Sequence, residues 1–344
     1  MKISSNKSVK NIVNAIKHRP AIPFINFETT YYCTQRCLQC SFPLQATPDK
    51  VMSFDKFKII VDKLHKYGTQ GISLSGGEPM LNPHLPQMME YLHKLNFPVK
   101  HLLTTLYGDQ ALVEQTINNV LKYGFSISCS FDGLGHNADK IRGGKKVAQI
   151  VKQNMELVNR KCRDQKKYVR RGVNTVISRL NYKEVPDILE MINTLGWTAN
   201  VDMYRWLSST QVEKDEMKLT PNKDLEEIID KIKKAPALNT PIWMVDGFIN
   251  YLNDDFEKYC PYLSAPALGS KFFVQPEGDL KVCLGEPIGN LVSQTPEEIF
   301  SSSEWQNKFN EFKACAGCWN RCYTRNAKPF SYTKPKLLLD WIFR

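Results

Sequence analysis

Pro23-Phe24-Ile25-Asn26-Phe27, then Cys33-Thr34-Gln35-Arg36-Cys37-Leu38-Gln39-Cys40, is the stretch that decides the fold. The first run is apolar and strand-like. The second supplies three thiols spaced C-x3-C-x2-C, with no fourth. A structural zinc site closes its tetrahedron with four protein ligands. An iron–sulfur cubane held by three cysteines keeps one iron open for chemistry. A loop at the carboxyl end of a first strand is also where barrel and open α/β sites gather.

Working outward, strand-like and helix-like stretches alternate. Strands are expected at about 24–29, 71–75, 99–105, 125–131, 172–178 and 199–204. Helical patterns fill about 53–67, 84–95, 109–122, 145–160 and 183–195, with Ser53 as an N-cap and Pro186 tolerated in a first turn. This alternation implies parallel strands joined by right-handed crossovers. It is compatible with a partial barrel or an open doubly wound sheet. Ser126–Asp132, Gly172–Val176 and Asn200–Tyr204 carry polar residues at even positions. An ordinary buried parallel strand is apolar on both faces, so a polar face suits a lumen that holds a polar ligand. Cys129 then falls on the helix side as a small buried hydrophobe. Cys162 lies in a lysine- and arginine-rich stretch read as a loop.

The second strand-like run ends in Ser75-Gly76-Gly77-Glu78-Pro79. An ordinary glycine turn ended by proline is the plain reading of that segment. Taken with the cysteine loop, it resembles the radical S-adenosylmethionine (radical SAM) enzymes. The resemblance implies an α/β fold: a six-stranded parallel partial (β/α)6 TIM-like barrel with a small cysteine-rich C-terminal hairpin and helix extension. It implies a [4Fe-4S] cluster on Cys33, Cys37 and Cys40 whose open iron binds SAM. Gly76 and Gly77 would let backbone approach that ligand, and Glu78, before Pro79, would meet its ammonium. Thr104 and Thr105 end the third strand where relatives approach SAM. Ser128, Ser130 and Asp132 lie near where relatives hold the ribose. Arg142 resembles an arginine that pairs with the SAM carboxylate. One departure is Gln39, which stands where relatives often place an aromatic residue.

Cys260, Cys283, Cys315, Cys318 and Cys322 crowd the last quarter. Phe272–Cys283 reads as strand, turn, strand, with Gly278 and Cys283 matching G-x4-C and Cys315–Cys318 matching C-x2-C. This resembles the SPASM extension or its shortened form, Twitch. A full SPASM needs more cysteines, so one auxiliary [4Fe-4S] cluster is the better count. Five cysteines compete for four positions, and structural zinc is the alternative occupant. Cys322 is a fourth ligand, a reserve thiol or a hydrogen donor. The expected division is a helical segment at 1–22, the barrel at 23–222, bridging helices at 223–258, the auxiliary region at 259–328 and a basic apolar tail at 329–344.

The 344 residues are 42% hydrophobic and 24% charged, as in a globular chain with a full core. No apolar run is long enough to span a membrane. The N-terminus lacks an apolar signal core, so a cytoplasmic protein is expected. Ten cysteines there argue for metal rather than disulfides. The net charge of +11 reads as a lysine-rich surface, with no nucleic-acid-binding motif beside it. Both termini are basic and apolar; they dock on the protein itself or touch a membrane surface peripherally. The function expected by resemblance is reductive cleavage of SAM to a 5′-deoxyadenosyl radical, which abstracts hydrogen from a peptide, a small molecule such as a sugar, or a lipid-linked substrate. A flavodoxin- or ferredoxin-type donor would supply electrons. Oxidation needs a base, for which Asp202 and Tyr204 at the mouth of the sixth strand are candidates; epimerisation needs a thiol donor, for which Cys322 is one. The stretch before the first strand is too short for a fused peptide-recognition domain. A non-catalytic iron–sulfur carrier or redox sensor is the rival reading, and the Gly76–Pro79 segment counts against it.

Overall fold

The computed structural model describes residues 22–42, 47, 49–204, 215–256, 272–283, 285–315 and 319. Six strands run in chain order through its centre: β1 (Phe24–Glu28), β2 (Gly71–Ser75), β3 (Val99–Thr104), β4 (Ser126–Ser130), β5 (Arg171–Ile177) and β6 (Thr198–Met203). Each pairs in parallel with the next. The helices between them are α1 (Phe54–Tyr67), α2 (Leu85–Lys94), α3 (Gln110–Tyr123), α4 (Gly135–Arg142), α5 (Val147–Asp164) and α6 (Val185–Thr194).

Period-two alternation decides the two faces. In β1, Ile25 and Phe27 are fully buried, and Phe27 meets Phe57 of α1 edge-on at 5.0 Å. Asn26, between them, faces the other way. The Ser53 hydroxyl caps α1 by accepting from Lys56 N (3.3 Å), and Gly68 ends it in the left-handed region at φ 105°. Phe57, Ile60, Val61 and Leu64 form the buried stripe of α1. Cys129 of β4 is fully buried in the core, where burial pushes its thiol up to about 12. Cys162, expected in a loop, is instead buried in the last turn of α5. The basic residues beside it occupy the exposed side of the same helix.

Residues of all six strands line one cavity of about 540 Å³, including Asn26, Ser73, His101, Ser128, Asn174 and Asn200. The parallel strands therefore curve around a lumen, and Ser126, Ser128, Asn174, Asn200 and Asp202 from the even positions of β4, β5 and β6 lie on its wall as expected.

After β6 come α7 (Lys223–Lys234) and α8 (Ile242–Leu252). The segment between them covers the outer edge of β6. Ala199 bridges Leu238 in parallel, and Thr240 Oγ1 both accepts from Val201 N (2.8 Å) and donates to Val201 O (3.0 Å). Covering an edge removes a site for unwanted strand pairing. The remaining elements are β7 (Phe272–Val274), β8 (Asp279–Val282), β9 (Gly289–Asn290), α9 (Pro296–Phe300) and α10 (Ser303–Ala314). The hairpin expected over 272–283 forms, and it continues the central sheet. β7 pairs in parallel with β1 through Ile25 and Phe272, giving the order β6-β5-β4-β3-β2-β1-β7-β8-β9 among the described residues. Lys63 Nζ of α1 ties this part down by donating to Leu291 O (3.0 Å), Val292 O (2.7 Å) and Gln294 O (3.1 Å). No described helix is long and apolar enough to cross a membrane.

Candidate active site

The cysteine loop leaves β1 at its carboxyl end and is held by backbone bonds to the end of α4. Arg36 N donates to Arg142 O (3.3 Å) and Leu38 N to Ile141 O (2.9 Å). Gly143 permits this approach: its φ is +63°, and a Cβ there would lie 2.8 Å from Arg36 O. Cys33 is buried; Cys37 and Cys40 are partly so. Burial pushes the Cys33 thiol up to about 11 and the Cys40 thiol up to about 12, and raises that of Cys37. Cys40 also feels the charges of Cys37 and Cys33, while Arg142 favours the thiolate of all three. No three His, Cys, Asp or Glu side chains among the described residues converge on a single metal ion. A cubane asks for something else, because each thiolate takes its own iron. Three neighbouring thiols, one buried and two partly so, beside an arginine suit that donor arrangement.

The glycine segment interlocks with this loop. Gly77 N donates to Thr30 O (2.7 Å) and Glu78 N to Tyr32 O (2.9 Å). A Cβ on Gly76 would sit 2.4 Å from Thr30 O, and one on Gly77 2.3 Å from Tyr32 O. The backbone these glycines approach is thus the lead into the cysteines. Glu78 is 1% exposed and caps the short 3-10 turn Pro79–Leu81. Its Oε1 accepts from Thr104 Oγ1 (2.7 Å) and Met80 N (3.1 Å), its Oε2 from Thr105 N (2.7 Å). Burial raises its carboxyl pKa against those bonds. Thr104 and Thr105, placed at the end of β3 as expected, are fastened to Glu78.

Asp132 and Arg142 meet in the middle. Arg142 NH1 donates to Asp132 Oδ2 (2.9 Å) and NH2 to Gln35 Oε1 (2.9 Å). Asp132 also accepts from Gln39 Nε2 (2.9 Å) and Val176 N (2.7 Å). Gln39 therefore joins the polar network at the position where an aromatic was awaited. Burial opposes the Arg142 charge, but Cys37 and Asp132 more than offset it and hold the guanidinium protonated. Two buried donors, Arg142 Nε and Gln35 Nε2, have no hydrogen-bond partner. Buried polar atoms are rarely left so, and unmet donors beside the cysteines suit a ligand rich in acceptors, such as a carboxylate.

Ser128 lines the lumen, and Ser130 lies one turn of the pleat nearer the cysteine loop. Asp202 also lines it. Tyr204 does not; it is buried in a small cluster with Ile141 and Met217, against which Leu38 packs. Cys283 ends β8 at φ 51°, and Cys315 caps the end of α10 and is exposed. Cys260, Cys318 and Cys322 lie outside the described residues, as do both basic tails. Trp319, next to Cys318, is described: its indole fills the notch at Gly247 of α8, and Nε1 donates to Met244 O (3.0 Å). Asn26, His101 and Asn239 line the lumen without having been singled out from sequence. The signal for Asn26 and His101 is strand register, which pairs both with Ser73 and so places them on one face of the sheet.

Residues 27–192 match the description Radical SAM superfamily. The chain is 26% identical over 289 residues to a GTP 3′,8-cyclase of Clostridium perfringens, covering 78% of this chain and 82% of that protein. It is 24% identical over 264 residues to a PqqA peptide cyclase of Granulibacter bethesdensis, covering 74% of this chain and 66% of that protein. Among solved structures, SuiB of Streptococcus suis is similar in fold, with a TM-score of 0.65 at 14% identity over 96% of this chain and 79% of that one. SuiB has also been solved bound to S-adenosylmethionine and to its precursor peptide SuiA.

Proposed function

Residues 27–192 form a radical SAM domain, and from that premise we propose that the chain is an enzyme that modifies a peptide at an unactivated C–H bond. The observation that carries this reading is the interlock of Cys33, Cys37 and Cys40 with Gly76–Glu78 at the carboxyl ends of the strands. When bound, a [4Fe-4S] cluster and SAM supply a 5′-deoxyadenosyl radical; the chemistry belongs to the cofactors, and the protein positions them. Cys33, Cys37 and Cys40 hold the cluster. Arg142 Nε and Gln35 Nε2 are the donors left for the SAM carboxylate, while Asp132 keeps the guanidinium oriented. Glu78 fixes the ends of β2 and β3 together and would be the carboxylate that meets the SAM ammonium. Ser128 and Ser130 offer hydroxyls for the ribose. Asp202, at the carboxyl end of the lumen, is the candidate proton acceptor. The peptide class is supported by the likeness to PqqA peptide cyclase and to the fold of SuiB.

Anaerobic protein reconstituted with iron, given SAM and dithionite, is expected to release 5′-deoxyadenosine. Absence of release with iron loaded and SAM bound, across peptide pools and GTP, would reject the enzyme reading in favour of an electron carrier.

Cys260, Cys283, Cys315, Cys318 and Cys322 are the proposed source of ligands for one auxiliary cluster. Trp319, seated against α8, would anchor the cysteine-bearing segment beside it. A Cys283→Ala/Cys315→Ala variant is then expected to hold about four fewer irons per chain. An unchanged iron count rejects the auxiliary site.

A further inference from the structure

Glu78 and Arg142, proposed for the two ends of the SAM amino acid, stand on different elements, and one side chain bridges them. Glu78 Oε2 accepts from Thr105 N (2.7 Å). Thr105 Oγ1 accepts from Tyr107 N (3.2 Å) and donates to Tyr107 O (3.2 Å). Tyr107 then reaches across to the turn that follows α4. Its hydroxyl accepts from Lys145 N (3.1 Å) and donates to Lys145 O (3.1 Å). A single phenol thus both gives and takes a proton along one residue's backbone.

The turn it grips is stiff. Gly143 N (2.9 Å) and Gly144 N (3.2 Å) donate to Asp139 O, and Lys146 N (2.8 Å) and Val147 N (2.7 Å) donate to the Asp139 carboxylate. Tyr107 accepts from Lys145, which completes the run of bonded amides from Gly143 to Val147. Arg142 directly precedes this run, so a shift at Lys145 carries to it. Gly144 leaves room for the ring, since a Cβ there would lie 3.1 Å from the Tyr107 hydroxyl oxygen. On the other side, the residue before Tyr107 is strained. Leu106 is fully buried at φ 51°, where bulky side chains are seldom found. It is held there because its N donates to Thr104 Oγ1 (3.2 Å) and its O accepts from Asn154 Nδ2 (2.9 Å). Such strain persists only where neighbours enforce it, and it gathers at functional sites.

We propose that Tyr107 is a positioning residue for SAM: its hydroxyl sets the spacing between Glu78 and Arg142 without itself joining the groups that hold the ligand. The roles of Glu78 and Arg142 rest on the proposed function; the bridge between them rests on the geometry alone.

The test uses the full chain, reconstituted with iron under anaerobic conditions, and two ligands followed by calorimetry. SAM carries the amino acid; methylthioadenosine carries the adenosine and the sulfur without it. Tyr107→Phe removes the hydroxyl and keeps the ring. It is expected to weaken SAM by about fivefold and methylthioadenosine by less than about twofold. A general loosening of the site would weaken both ligands alike. Arg142→Lys keeps a charge beside Asp132 but loses the planar fork, and is expected to weaken SAM by about tenfold. In the Tyr107→Phe/Arg142→Lys double variant the two losses are expected to fall short of adding, because one residue acts through the other. Unchanged SAM binding in Tyr107→Phe, equal loss of both ligands, or fully additive losses overturns the proposal and leaves the role of Arg142 standing. Parent-like SAM binding in Arg142→Lys instead removes the carboxylate role of Arg142, and this proposal with it.

Discussion

Asp132→Ala is expected to destabilise the folded chain by about 3–5 kcal/mol, because it strands the Arg142 charge in the interior. The Asp132 and Arg142 side chains are only 1% and 9% exposed, and their contact is 2.9 Å. Asp132 also receives Gln39 Nε2 and Val176 N, so its loss leaves further donors unmet. The sign of the effect depends on which partner remains. An Asp132→Ala/Arg142→Met pair removes both charges, and replacing a buried ion pair by apolar groups is often near neutral. The double variant is therefore expected to be more stable than Asp132→Ala alone. Urea unfolding of the three proteins, before iron loading, reads this directly. A single variant within about 1 kcal/mol of the parent would mean that solvent reaches Arg142 and that the pair does not organise the loop.

The six parallel strands and their helices were readable because each carries a strong local signal. Ser53 and Gly68 bound α1, and its stripe of Phe57, Ile60, Val61 and Leu64 has helical spacing. The short helix α4 escaped because it opens on Gly135-His136-Asn137, residues of weak helix propensity, without a side-chain cap. Yet α4 sets the site: its last residue is Arg142, and its end holds the cysteine loop. The continuation of the sheet through β7 also had no local signal, since Ile25 and Phe272 meet across most of the chain. The site was legible as a set of residues and not as a set of contacts. Glu78, Thr104 and Thr105 were singled out as separate ligand contacts, whereas they bond one another. The place of Asn26 and His101 on the lumen wall was not legible for a similar reason. A polar residue in an apolar strand marks a solvated face or a lumen, and only the register of four neighbouring strands tells them apart.

Cys37→Ala is expected to lower 5′-deoxyadenosine release more than about a hundredfold, beyond the 10- to 100-fold typical of losing a partner to a metal ligand. A raised thiol pKa does not mark the site by itself. Cys129 and Cys40 are both pushed up to about 12 by burial. Their company differs. Cys129 sits among core hydrophobes, whereas Cys40 feels two further thiols of its own loop. Cys129→Ala is accordingly expected to keep SAM cleavage and to cost only the packing of one small side chain. Cys37→Ala keeps the backbone bonds from Arg36 and Leu38 that hold the loop to α4. It loses one weak contact, from Sγ to Arg142 O at 3.6 Å. Stability before iron loading should then match the parent while bound iron and SAM cleavage fall together. The pair of variants separates a thiol needed for chemistry from one needed for packing. Retained SAM cleavage in Cys37→Ala would take the three-cysteine loop out of the reaction, and with it the function proposed for the chain.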